Sequence, residues 1–177
     1  LEVVVHPAAG NVRAPRRWLQ NLATTPLALR RCFPPRTLAA IEAACAASEA
    51  SHRAEIRCAI EAALPLGHLW RGVSSAARAV EVFSLLRMWD TAENNGVLLY
   101  ILLAERHIEI VADRGFTDRV TAADWQAICT DMQSAFGAGH YEAGTLAGIG
   151  RISEHACRHF PARDGDRNEL PDSMALL

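Results

Sequence analysis

The chain has no lysine: all 18 of its basic residues are arginine. A Walker-type phosphate loop needs a lysine, so that class is excluded. Neither a Gly-x-Ser-x-Gly elbow nor a glycine-rich dinucleotide turn occurs. Arginine at every basic position is otherwise the mark of a GC-rich genome. Cysteines are few: Cys32, Cys45, Cys58, Cys129 and Cys157 are odd in number, and none has CxxC spacing. Cys45, Cys58 and Cys129 fall at apolar positions, where a thiol acts as a small hydrophobe. That usage suits a reducing compartment. Long hydrophobic runs are also missing. The longest, residues 97–104, spans eight residues, against the roughly 20 that a membrane helix needs. The opening LEVVVHPAAG has neither the charged-then-apolar run nor the cleavage site of a signal peptide. The expectation is a soluble cytoplasmic protein, with peripheral membrane attachment left open.

What is present is unevenly charged. Residues 1–41 carry Arg13, Arg16, Arg17, Arg30, Arg31 and Arg36 against Glu2, leaving the rest of a chain of net charge −2 acidic. Breakers crowd residues 1–34 (Pro7, Gly10, Pro15, Pro26, Pro34), with room for a short helix over 16–22 that places Trp18, Leu19 and Leu22 on one side. This basic arm has two readings. It lies across the acidic body of its own chain, or Arg13, Arg16, Arg17, Arg30 and Arg31 meet an anionic membrane surface. Nucleic acid is disfavoured because the acidic body repels phosphates.

The body, residues 35–160, alternates helical and extended signals. Leu38, Ile41 and Cys45 have helical spacing, and residues 55–61 alternate polar with apolar like a half-buried strand broken at Pro65. Ser74 or Ser75 caps a helix running to about Trp89. Residues 97–103 have no polar face and read as a central strand, followed by a hairpin into 107–113. Thr121 caps a helix carrying Trp125, Ile128, Cys129, Met132 and Phe136, and a last helix uses Leu146, Ile149, Ile152, Ala156 and Phe160. Strands among amphipathic helices are satisfied most economically by a three-layer α/β/α sandwich around a small mixed sheet. Residues 161–177 are polar with Pro and Gly and read as a flexible tail.

Candidate chemistry concentrates in Asp90-Thr91-Ala92-Glu93-Asn94-Asn95-Gly96. Calcium and magnesium take hard oxygen ligands, which Asp90, Glu93 and Asn94 supply, with Asp113 and Asp118 brought alongside at neighbouring strand ends. Asn95, Glu55 and Arg57 are further rim candidates. The same residues also make turns and caps without any ligand. Weaker patterns fail on inspection. His155 and His159 have zinc-like spacing but no third ligand, and Asp164, Asp166 and Asn168 open an EF-hand-like loop in which Glu169 replaces the required glycine. Ser74-Ser75 has no recognisable base beside it, and a cysteine–histidine nucleophile has no support.

The order of elements, with Asn-Asn-Gly-Val-Leu-Leu-Tyr-Ile-Leu-Leu, then Glu-Ile-Val-Ala-Asp-Arg-Gly, then Gly139-His140-Tyr141-Glu142-Ala143-Gly144, resembles the TPM domain family. That family is named for a thylakoid lumen protein, a photosystem-repair protein and a receptor modulator. The resemblance covers about residues 35–160 and is closest to bacterial, non-exported members. It implies an α/β/α sandwich, divalent-cation binding near the acidic turn and, in some members, phosphatase activity. Many secreted members carry Gly-x-Gly-x-Glu after the second hairpin strand. Here the stretch is Ala112-Asp113-Arg114-Gly115-Phe116, which retains only Gly115 and places a carboxylate at Asp113. The expected function is a non-catalytic, cation-binding interaction or assembly module with a protein partner. The alternatives are a weak metal-assisted phosphatase and a peripheral membrane adaptor.

Overall fold

Six consecutive apolar residues, Val97–Leu102, form strand β3, and every one is buried. A strand with no polar face must be covered on both sides, and β3 accordingly sits in the middle of a five-stranded mixed sheet ordered β1-β4-β3-β2-β5. The computed structural model describes residues 2–4, 15–163 and 174–177. β2 (Ile56–Glu61) runs parallel to β3 with Ile56 opposite Val97, and β4 (His107–Ala112) runs antiparallel to it with Ala112 opposite Val97. β1 (Glu2–Val4) pairs with β4, and β5 (Ala175–Leu176) pairs with the other side of β2.

One face of the sheet receives α3 (Pro35–Glu49), α6 (Ala122–Gly137) and α7 (Tyr141–His159). Ile41, Trp125, Ile128, Met132, Ile149 and Ile152 from these helices bury against Ile56, Ile60, Leu99, Ile101 and Ile110. The other face receives α4 (Leu66–Arg71) and α5 (Ser75–Leu85), whose Leu69, Val82 and Phe83 pack on Ala59, Leu98, Leu102 and Val111. The three-layer sandwich expected from the sequence is therefore present. The α6 cap is also as expected: Asp124 N donates to Thr121 Oγ1 at 3.2 Å, while Thr121 N donates to Asp124 Oδ2 at 3.0 Å. This reciprocal box satisfies two otherwise orphaned amides.

Four expectations are corrected. Residues 56–61 are not half-buried, because β2 has a strand on either side and helices above and below. The helix capped by Ser74 stops at Leu85, where Arg87 turns the chain with φ +54°. The described residues of the 1–34 segment are built into the body and are not set apart from it. β1 joins the sheet, α1 (Pro15–Ala23) faces inward with Arg17 and Asn21, and Leu29 of α2 (Pro26–Cys32) enters the core with Phe33. The segment expected to be a flexible tail returns at Ala175–Leu176 to occupy the β2 edge, where Leu177 N donates to Ile60 O at 3.1 Å. An otherwise unpaired strand edge supplies the reason for that return. Asp164, Asp166 and Asn168 lie outside the described residues, as does Arg13.

Gly96 is packed too tightly for any side chain, since a Cβ there would meet the Met88 carbonyl oxygen at 2.0 Å. Gly137, at the end of α6, has open space around it. Gly96→Ala is therefore expected to cost about 2 kcal/mol or more. Gly137→Ala is expected to be neutral or stabilising by up to about 1 kcal/mol. Urea unfolding midpoints of the two variants would check both.

Candidate functional site

The strand register builds the site. With Ile56, Val97 and Ala112 aligned, the residues just beyond them, Glu55, Gly96 and Asp113, share one end of the sheet. Val97 N donates to Glu55 O at 2.8 Å and Asp113 N to Gly96 O at 2.9 Å, so the ladder extends one step into the loops. Gly115 then closes the rim. Its amide donates to Asn94 O at 2.8 Å, and a Cβ at this position would lie 2.5 Å from that oxygen and 2.7 Å from Glu93 O. The acidic turn at 90–96 and the 113–115 turn are thereby held against each other.

Of the oxygen donors named from the sequence, two stand out. Asp113 Oδ1 accepts from Arg114 N at 2.8 Å, while its buried Oδ2 has no hydrogen-bond partner among the described residues. Asn95 Nδ2 donates to Arg53 O at 2.6 Å, while its buried Oδ1 also lacks a partner among the described residues. The others are differently placed. Glu93 pairs with Arg53, with Arg163 Nη1 4.0 Å away. Asn94, at φ +53°, accepts at Oδ1 from Arg114 Nε at 2.9 Å. Asp90 and Asp118 are exposed, and no hydrogen bond or ion pair ties either side chain to another described rim residue. Glu55 and Arg57 are buried, and Arg57 Nη1 reaches Leu86 O at 3.5 Å on the α5 side. They are therefore not a solvated pair on an open rim. Among the described residues, no three His, Cys, Asp or Glu side chains gather around one point.

Sequence reasoning missed the residues that organise this end. Arg53 binds Glu93, donates from Nε to Pro161 O at 2.9 Å and offers its own carbonyl to Asn95. Arg114 bridges Asp113 and Asn94. Buried His52 neighbours them, its imidazole held below the ordinary 6.5 because desolvation outweighs the nearby Ala54 backbone. No local pattern marks these three, since an arginine or histidine beside a strand start is usually solvated. His155 lies against the Trp125 ring at 5.4 Å, and burial lowers its pKa.

The opposite end of the α5-facing side holds a buried polar network. Arg78 Nε and Nη2 grip Glu61 Oε2 and Oε1 at 3.0 Å each, and Tyr100 Oη donates to Glu61 Oε2 at 2.5 Å. The Glu61 hydrogen bond raises the Arg78 pKa, and burial pushes that of Tyr100 up. Beside them Ser75 Oγ lies 2.5 Å from Glu109 Oε1 and 2.9 Å from His107 Nδ1. Ser75 therefore does have a base next to it, contrary to the sequence expectation, while Ser74 makes the cap. Ser75 is buried and its hydroxyl donates to a carboxylate, an arrangement that locks the helix start in place. Burial also raises the Cys58 thiol and carries that of Cys129 to about 12, which disfavours the nucleophilic thiolate at both.

Residues 30–155 match the family model of the TPM domain, well over half of the chain. The chain belongs to the TPM domain family. It is also similar to the solution structure of the BA42 protein from the psychrophilic bacterium Bizionia argentinensis. The TM-score is 0.71 and the identity 26%, over 81% of this chain and 94% of that one. No curated protein matches it significantly. In this TPM domain no described helix is long and apolar enough to cross a membrane.

Two expectations follow for the TPM domain. Arg78→Met strands the buried Glu61 charge and should cost about 3–5 kcal/mol. Adding Glu61→Gln should recover part of that loss in a double-mutant cycle by chemical denaturation. Because the folded-state pKa of His52 is depressed, the unfolded chain takes up that proton first as pH falls. Stability present above about 6.5 is therefore lost as pH drops through that value toward the lower folded-state pKa. His155 and His159 are depressed in the same sense. His52→Gln should accordingly reduce the slope of urea midpoint against pH without abolishing it.

Proposed function

We propose that this TPM domain is a non-catalytic, divalent-cation-binding interaction module. Its ion would be held at the rim formed by Asn95 and Asp113, and the occupied rim would meet a protein partner. The observation that carries this reading is that two buried oxygens, Asn95 Oδ1 and Asp113 Oδ2, have no hydrogen-bond partner among the described residues. An oxygen buried without a donor costs about 1–3 kcal/mol, and a hard cation is one ligand that satisfies amide and carboxylate oxygens alike. Calcium and magnesium both accept this donor chemistry, completing their shells with backbone carbonyls and water. Asp113 would supply charge and Asn95 a neutral ligand. Asp90, Glu93, Asn94 and Asp118 are further oxygen donors on the flanking turns, with Glu93 first having to leave Arg53.

A second reading is favoured by the arginines. Arg53, Arg114 and Arg163 accompany the carboxylates at this end, and guanidinium groups recognise phosphate in a planar, bidentate manner. A cation beside them would act as a Lewis acid on a phosphate ester, giving a weak metal-assisted phosphohydrolase.

Thermal unfolding of chelator-treated protein across calcium and magnesium titrations tests the proposal. Stabilisation of about 2.7 kcal/mol is expected at a hundredfold excess over the dissociation constant. It should be lost in Asp113→Asn and weakened in Asp90→Asn. Absence of any shift at millimolar ion would overturn the cation site. Turnover of a generic phosphate ester that vanishes in Asp113→Asn would favour the hydrolase over the binding module.

A further inference from the structure

Helix α1 lies against the 64–73 segment in antiparallel fashion. Arg17 Nη2 donates to Val73 O at 2.5 Å near one end, and Leu64 N donates to Asn21 Oδ1 at 2.8 Å near the other. Between them the Trp18 and Trp70 rings meet edge to face at 5.7 Å. The contact uses Trp18 together with the polar residues Arg17 and Asn21 of α1. Arg17 and Asn21 are buried on Glu105 Oε1, at 2.8 and 3.0 Å. The leucines of α1 are turned out as a consequence. Leu19 is 68% exposed and Leu22 60%, and across the contact Leu66 is 57% and Trp70 80% exposed. Single exposed leucines are ordinary, but large apolar groups placed together mark an interaction surface.

The charge around this surface says what covers it. Exposed Arg16 precedes Leu19 by three positions on α1, and exposed Arg71 follows Trp70. The neighbouring carboxylates are already bound. Glu105 is held by Arg17 and Asn21, and Glu81 by His68 Nε2 at 2.7 Å and Arg78 Nη1 at 3.2 Å. Tryptophan and leucine bordered by arginine, with acidic groups neutralised, is the composition that inserts at the boundary between anionic headgroups and acyl chains. We infer that the α1–α4 face docks this TPM domain on an anionic membrane surface, inserting Leu19, Leu22, Leu66 and Trp70 between Arg16 and Arg71. Arg17, which only the membrane reading of the basic arm placed against lipid, is a positioning residue that holds α1 to Glu105. This inference does not depend on the cation site, which lies at the other end of the sheet.

The test is co-sedimentation of the full chain with vesicles of phosphatidylcholine alone and of phosphatidylcholine with phosphatidylserine. Tryptophan emission is followed in parallel. Binding to the phosphatidylserine vesicles with a blue shift, weakening as salt rises, is expected. Leu19→Ser/Leu22→Ser should reduce binding roughly tenfold or more while keeping the native unfolding temperature, because both side chains are already in water. Arg16→Gln/Arg71→Gln should remove the preference for phosphatidylserine. Equal binding to both vesicle types, no binding to either, or a leucine variant that binds like the native chain would overturn the inference. So would concentration-dependent dimerisation that shifts the emission without lipid, which would make a second copy the occupant.

Discussion

Everything in this molecule depends on β3 being buried on both faces. A strand of Val-Leu-Leu-Tyr-Ile-Leu cannot face water without exposing about half its side chains, and at an edge it would present a bare backbone on an apolar strand. It therefore requires strands on both sides and helices above and below, and it has them. Its register with β2 and β4 then decides which polar residues meet. At one end Glu55, Gly96 and Asp113 align; at the other Glu61, Leu102 and His107 align. Both polar clusters are consequences of one hydrophobic alignment.

The two clusters differ in how fully their hydrogen-bonding capacity is used. At the Glu61 end, three donors from Arg78 and Tyr100 meet one carboxylate, and Arg78 also reaches Glu81. A buried ion pair satisfied to this degree contributes little net stability over apolar packing, yet its disruption is costly. It therefore fixes how α5 sits on the sheet. At the Asp113 end Asp113 N and Gly115 N bond to the carbonyls of Gly96 and Asn94, while Asn95 Oδ1 and Asp113 Oδ2 have no partner among the described residues. Buried polar groups are hydrogen-bonded as a rule, so the unused acceptors at the Asp113 end are the feature on which the proposed ligand site rests.

Much of this fold was legible in the residues. The polar-free run at 97–102, the Thr121–Asp124 cap and the Trp125–Ile128–Met132 spacing each carry a local physical signal, and each appears where expected. The acidic turn was legible as well, because Asn-Asn-Gly and two nearby carboxylates announce a tight, oxygen-rich loop. The partners of that turn were not. Arg53 lies 40 residues before Glu93, and Arg114 lies 20 after Asn94; no spacing rule links them. Ser75 looked like a cap because its base, His107, is brought by a hairpin 32 residues later. β5 looked like tail because two residues of strand have no periodicity.

The sequence by itself determined the layer architecture, the central strand and the location of the oxygen-rich turn, because periodicity and burial act over neighbouring residues. Only the tertiary structure decided which oxygens at that turn are bonded and which are left over. It also turned Arg17 and Asn21 of α1 inward and its leucines out. The physical reason is the same in both cases. Hydrogen bonds and ion pairs between residues tens of positions apart, such as Arg17 with Glu105 and Arg53 with Glu93, are chosen by strand register and helix docking, and no local pattern encodes them.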